Sequence, residues 1–176
     1  LLQGDVGSGK TIISFLAAAN VIRAKWQTAL MAPTEILAKQ HYILAKKIFK
    51  YTNINIEFLS GKTDSIKKKI IHKNLIEGKI DFLIGTHALF QKNIFFKKLG
   101  LVIIDEQHKF GVKQRKSLSD KGGNNCDVLL MSATPIPRTL TMTLYGDMDL
   151  SIIKEKPKSR KEIKTYIKVD TKIMDV

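Results

Sequence analysis

An α/β domain built on a doubly wound parallel sheet is the fold the sequence predicts, and three observations carry that prediction. Short apolar runs alternate along the 176 residues with segments of helical periodicity. The runs read as buried strands bounded by polar or turn residues, as a sheet covered on both faces requires. A glycine-rich stretch joins the first run to the first helical segment.

Taken in order, "LLQ" (1–3) reads as the end of a strand that begins before residue 1, since strands run to about five or six residues. Residues 10–24 carry Ile12, Phe15, Leu16, Ala19 and Ile22 at helical spacing. "TALMA" (28–32) is the next strand, followed by a helix over 35–50 with Leu37, His41, Leu44 and Ile48 on one face. "INIEFL" (54–59) precedes a helix over 64–77 that carries Ile66, Ile70 and Ile71. "DFLIG" (81–85), "LVIID" (101–105) and "DVLLMS" (127–132) complete the strands. Pro135 and Pro137 keep the following stretch extended before a helix over 138–145. "KEKPKSRKEIK" (154–164) reads as a charged linker, and "KTYIKV" (164–169) as the start of a strand in another domain. The expected division is a lobe over 1–153, then a linker and the start of a second unit over 154–176. Both ends read as cut, so the chain is expected to be one lobe of a longer protein.

Composition sets outer bounds. Hydrophobic residues make up 44% of the chain, enough for a globular core, and no apolar run is long enough to span a bilayer. No secretory leader opens the sequence. Cys126 is the single cysteine, which excludes an internal disulfide and a cysteine metal cluster and fits a reducing cytoplasm. The net charge of +14 fits a polyanionic partner. It is supporting evidence only. Of the basic residues just four are arginine (Arg23, Arg115, Arg138 and Arg160), and a lysine- and isoleucine-rich composition can also arise from nucleotide bias in the gene.

Gly4-Asp5-Val6-Gly7-Ser8-Gly9-Lys10-Thr11 satisfies G-x-x-x-x-G-K-[ST] at every position. A loop that wraps a phosphate aims several backbone N–H groups inward, and the dihedrals and close approach this needs are forbidden to most side chains. The helix that starts beside Gly9 adds its positive end. Lys10 is placed to reach β- and γ-phosphates, and the Thr11 hydroxyl to ligate Mg²⁺. The chain carries its own control: "SGKT" recurs at 60–63, but Ile56 stands where the loop needs glycine, so that copy reads as a turn and helix start.

"LVIIDEQH" (101–108) is a strand ending in two carboxylates. Asp105 can hold Mg²⁺ through its water shell, and Glu106 can orient and deprotonate an attacking water. Alone this would pass for a solvated acidic turn; beside a phosphate loop it does not. A GTPase would carry D-x-x-G here, and the fourth position is His108.

"MAPTEILAKQH" (31–41), "GTHALFQ" (85–91), "DEQHKFGVKQR" (105–115) and "MSATPIPRTL" (131–140) resemble, in order and spacing, the first motor lobe of superfamily 2 helicases, and among them the bacterial RecG-type ATP-dependent DNA helicases. The resemblance covers essentially the whole chain. Gln107 and Ser8 favour that type over the translocase of transcription-repair coupling factor, which typically has a second glutamate and a bulkier loop residue there.

The resemblance implies a three-layer RecA-like P-loop lobe that binds ATP and Mg²⁺ and contacts branched or forked duplex DNA. In such proteins the work is the remodelling of replication forks and Holliday junctions in recombination and repair, in the bacterial cytoplasm at the nucleoid. Pro33-Thr34 and Gly85-Thr86-His87 then correspond to motifs that touch the nucleic-acid backbone, and Gly61-Lys62 to a third such contact. Thr34 is equally a helix N-cap, and the two roles are compatible. Ser132-Ala133-Thr134 corresponds to the motif that couples nucleotide state to DNA binding, with Gln107 and His108 linking it to Glu106. An arginine finger, a second lobe and a junction wedge domain belong to the rest of such a protein, so this piece alone is expected to be inactive. His41 and His72 read as helix-surface or core residues, Trp26 and Phe110 as packing, and Arg138 has no assigned role. A P-loop kinase, a transporter ATPase and a non-catalytic DNA-binding domain remain the alternatives from other classes. No lid or signature motif supports the first two, and against the third every residue that the chemistry needs is intact.

Overall fold

The apolar runs form strands β1 (Leu2–Gly4), β2 (Gln27–Met31), β3 (Ile56–Leu59), β4 (Phe82–Gly85), β5 (Leu99–Ile104), β6 (Asp127–Ser132) and β7 (Ser151–Ile153). Between them lie α1 (Lys10–Arg23), α2 (Glu35–Ile48) and α3 (Ser65–Glu77), and a 3₁₀ turn over His87–Phe90. The computed structural model describes residues 1–91, 93–106, 126–134 and 149–155. The helix expected over 138–145, Pro135, Pro137, and all but the first two residues of the expected linker lie outside the described residues, as does the strand expected after it.

Among the described residues all pairings are parallel, and the seven strands run in the order β3-β4-β2-β5-β6-β1-β7. β2, β4 and β5 are buried along their whole length, because a strand covered on both faces has no polar side. Successive residues feed opposite faces. Leu30, Phe82, Ile84, Leu101 and Ile103 pack against Phe15, Ala18 and Ile22 of α1 and Ala45 of α2. Ala29, Met31, Leu83, Val102 and Ile104 pack against Ile71 and Leu75 of α3. Helices therefore cover both faces, and the expected three layers are present. The Phe15 ring stands edge-on to Phe82, with 5.8 Å between centroids, a favourable arrangement of ring quadrupoles.

The helices start where the sequence places them, but their buried faces are rotated from the expected ones. α1 buries Ser14, Phe15, Ala18 and Ile22, while Leu16 is 62% exposed and Ile12 also faces out. α2 buries Ala38, His41 and Ala45, and Ile48 is exposed. In α3 the buried pair is Ile71 and Leu75, with Ile66 70% exposed and Ile70 outward. The strands already bring large side chains to the interface, so small residues such as Ser14, Ala18 and Ala38 share the close contacts with Phe15, Ile22 and Ile71, while Ile12, Ile48, Ile66 and Ile70 are turned to the flanks.

β7 is an unexpected strand. Its three residues pair with β1 and form that edge of the sheet among the described residues. No helix of the described residues is long and apolar enough to cross a membrane.

Candidate functional site

Because every strand runs the same way, all C-terminal ends meet on one edge, where open α/β sheets bind ligands. β5, β6 and β1 are neighbours there, and they lead into Asp105-Glu106, Ser132-Ala133-Thr134 and the Gly4–Thr11 loop. β3, β4 and β2 are neighbours in the other half. They lead into Gly61-Lys62, Thr86-His87 and Pro33-Thr34. Groups scattered over 130 positions thus fall into two sets, divided at the β2–β5 seam.

In the loop, Gly7 and Gly9 have φ of 80° and 94°, the left-handed region that favours glycine. A Cβ on Gly4 would lie 2.6 Å from Ser8 Oγ and 3.1 Å from Ile153 Cβ. The turn closes through Ser8 N–H to the Asp5 carbonyl (3.1 Å) and Val6 N–H to Asp5 Oδ1 (2.8 Å). Lys10 Nζ donates to the carbonyls of Gly4 (2.6 Å) and Asp5 (2.9 Å), which holds the ammonium across the loop. The N-terminus of α1 has no side-chain cap and no acidic residue in its first turn. Ser8 Oγ is buried with no hydrogen-bond partner. Bare helix donors, a glycine cradle, a central ammonium and an orphaned hydroxyl fit a polyphosphate.

At the end of β5, Asp105 N–H donates to the Met31 carbonyl (2.9 Å), so β2 fixes the backbone of the first carboxylate. Its side chain is buried and both oxygens are engaged. Oδ1 accepts from Glu106 N–H at 3.0 Å, and Oδ2 lies 2.7 Å from His41 Nε2. Glu106 has φ of 50°. That is a strained conformation for a residue with a side chain, and such strain gathers at working sites.

Ser132 ends β6 fully buried. Its Oγ lies 2.9 Å from Thr134 Oγ1 and accepts from Thr134 N–H at 3.2 Å, folding the turn onto itself. Gln3, on β1, reaches across with Nε2 to the Thr134 carbonyl (3.3 Å). The turn is therefore tied to the strand that carries the phosphate loop. Neither Gln3 nor His41 is legible as a site residue from sequence spacing: the first bond spans 131 positions and the second 64. Gln107, His108, Phe110 and Arg138 lie outside the described residues.

In the other half, the Thr34 hydroxyl accepts from Leu37 N–H (3.3 Å) and caps α2. The Asp64 carboxylate caps α3 through Ile66 and Lys67 N–H (2.9 and 3.4 Å). Thr86 is 4% exposed and its hydroxyl is buried without a partner; the exposed neighbour is His87. Gly85 has a packing reason, since a Cβ there would collide with the Leu59 carbonyl oxygen. Gly61 has none, with open space around its Cβ position. Lys62 is 85% exposed at its side chain and lies 3.9 Å from Glu35, in the first turn of α2. The 60–63 turn therefore stands beside Thr34.

The model of the DEAD/DEAH box helicase family matches residues 1–143. ATP-dependent DNA helicase RecG of Aquifex aeolicus is 52% identical over 168 residues, 95% of this chain and 21% of that protein. RecG of Bacillus subtilis is 50% identical over 166 residues, 94% of this chain and 24% of its own length. The chain thus spans between a fifth and a quarter of these relatives. Among solved structures, RecG bound to a three-way DNA junction superposes with a TM-score of 0.78 at 47% identity, over 92% of this chain and 21% of that one. The DEAD-box helicase Mss116 bound to ssRNA and UDP-BeF has a TM-score of 0.64 at 21% identity, over 86% of this chain and 36% of that one, a likeness of fold. With the glycine loop, the paired carboxylates and the strand order in place, the chain belongs to the DEAD/DEAH box helicase family.

Proposed function

We propose that this chain is the ATP-binding motor lobe of a RecG-like DNA helicase that moves on duplex DNA and remodels branched substrates. The observation that carries this is the convergence of the phosphate loop, the Ser132–Thr134 turn and Asp105-Glu106 on the adjacent ends of β1, β6 and β5. In this reading residues 1–153 form the lobe, and 154–176 lead to a second lobe that supplies an arginine finger. The full protein works in the bacterial cytoplasm on forks and junctions.

Within the lobe each residue has a physical task. The loop Gly4, Asp5, Val6, Gly7, Ser8, Gly9 and Lys10 would hold the triphosphate, with Lys10 exchanging the Gly4 and Asp5 carbonyls for phosphate oxygens. Thr11 and Asp105 would hold Mg²⁺, which when bound neutralises charge on the β/γ oxygens. Glu106 takes the proton of the attacking water. Ser132, Ala133 and Thr134, with Gln107 and His108, pass the state of that site to the DNA half. There Pro33, Thr34, Gly61, Lys62, Gly85, Thr86 and His87 line the backbone contact.

The test is DNA-stimulated phosphate release by the full-length protein with Lys10→Ala and Glu106→Gln variants. Turnover that survives both substitutions would remove the assignment.

A further inference from the structure

His41 is the side chain whose placement the nucleotide reading does not use. It is 7% exposed, on the sheet-facing side of α2, and its Nε2 lies 2.7 Å from Asp105 Oδ2. A carboxylate accepts and does not donate, so the bond puts the proton on Nε2. Phe15 of α1 stands edge-on to the imidazole, with 6.5 Å between centroids and 74° between planes. Phe15 is itself 1% exposed. The ring has a hydrogen bond and an aromatic contact, and Asp105 cannot rotate about its side-chain torsions without giving up a buried hydrogen bond.

We propose that His41 is a positioning residue for the metal-holding carboxylate, and a side-chain link between the two halves of the site beside the backbone bond from Asp105 N–H to the Met31 carbonyl. The proposal rests on the nucleotide-site reading above. By donating to Oδ2, His41 fixes the Asp105 carboxylate in one orientation, as groups behind a metal ligand do elsewhere. It also rides on α2, whose first residues follow the proposed DNA contact at Pro33-Thr34. A shift of α2 that accompanies DNA contact is therefore felt at Asp105 through one hydrogen bond, across the β2–β5 seam.

The test uses the full-length protein and reads nucleotide binding rather than turnover. ATP-analogue affinity is measured by calorimetry across a magnesium titration for wild type, His41→Leu, His41→Gln and His41→Asn. Glutamine carries an amide N–H to about the place of Nε2, while asparagine stops short of it. The magnesium midpoint is expected to rise about 10-fold or more in His41→Leu and His41→Asn, and to stay within about 2-fold of wild type in His41→Gln. An unshifted midpoint in His41→Asn, or equal shifts in Asn and Gln, overturns the positioning role even if His41→Leu does not fold. The ratio of DNA affinities with and without the magnesium nucleotide should fall toward unity in Asn and persist in Gln. A preserved ratio in Asn overturns the link. Failure of the wild type to bind nucleotide at any magnesium concentration defeats the nucleotide site itself, a result separate from either of these.

Discussion

The two halves of the strand-end edge treat their helix termini in opposite ways. On the nucleotide side α1 begins at Gly9 in a left-handed conformation, with no cap and no acidic residue in its first turn. On the other side α2 begins under a Thr34 cap with Glu35 in its first turn, and α3 begins under Asp64. A helix terminus occupied by its own carboxylate or hydroxyl is a poor receptor for phosphate, because the donors are spent and the charge is unfavourable. The difference teaches where each half can find attraction for an anion. In the proposed reading the nucleotide half would use backbone donors and one lysine, whereas the DNA half would rely on exposed side chains, Lys62 and His87 foremost.

The largest expected effect breaks the nucleotide half alone. Lys10→Ala removes the ammonium from the loop and should abolish binding of the magnesium nucleotide in calorimetry. Glu106→Gln should leave binding intact and lower turnover about 10²–10⁴-fold, since only water activation is lost. DNA affinity without nucleotide should stay at the wild-type value in both. A matching loss of DNA affinity would mean that the two halves are one surface.

Next is Gly85→Ala, which strikes the DNA half through its packing. The new Cβ runs into the Leu59 carbonyl, and forcing β3 and β4 apart should cost about 1–3 kcal/mol in denaturant unfolding. Gly61→Ala meets open space and should change stability by less than about 0.5 kcal/mol. If the two glycines prove equal, the close approach at Gly85 is not what the sequence keeps glycine for.

Much of this contrast was legible in the chain, and its limits are physical. The glycine loop and the Asp105-Glu106 pair were readable because their chemistry is local, a few residues whose spacing carries the geometry. Strands were readable from apolar runs such as Leu101–Ile104, buried on both faces. The helix faces were not, because Ser14, Ala18 and Ala38 carry the buried stripes and do not register as large apolar residues. Ile66 and Leu16 do register, and they are exposed. The His41–Asp105 and Gln3–Thr134 bonds needed the strand order, since only the β2–β5 and β6–β1 adjacencies bring those residues together. β7 is three residues long and partly exposed, too short for a period to show.

A smaller effect joins capping to contact at Thr34. Thr34→Ala should cost about 1 kcal/mol of stability through the lost cap on Leu37 N–H, and Thr34→Ser should restore it. The capping hydroxyl accepts from Leu37 N–H and keeps its own hydrogen for a phosphate oxygen, so Thr34→Ala should also weaken DNA binding at temperatures well below unfolding, and Thr34→Ser should restore it. A large loss of DNA affinity in both Ala and Ser variants would instead tie the Thr34 methyl to the backbone contact.

The smallest expected change bears most directly on the comparison. Lys62 is a solvated side chain with the Glu35 carboxylate 3.9 Å away, and an exposed pair at that distance holds its partner weakly. The ammonium is therefore available to a DNA phosphate at small cost. Each phosphate neutralised releases a fraction of a counterion, so one lysine contact is worth a slope of about 0.9 in log affinity against log salt. Lys62→Ala in the full-length protein should lower the slope by about 1 and weaken binding by the same factor on duplexes of unrelated sequence. ATP affinity should be untouched, because the loop proposed to bind phosphate lies across the β2–β5 seam. Fluorescence titrations at several salt concentrations decide it. An unchanged slope would place the DNA contact on some other face of this half, and a sequence-dependent loss would mean that Lys62 reads bases rather than phosphates.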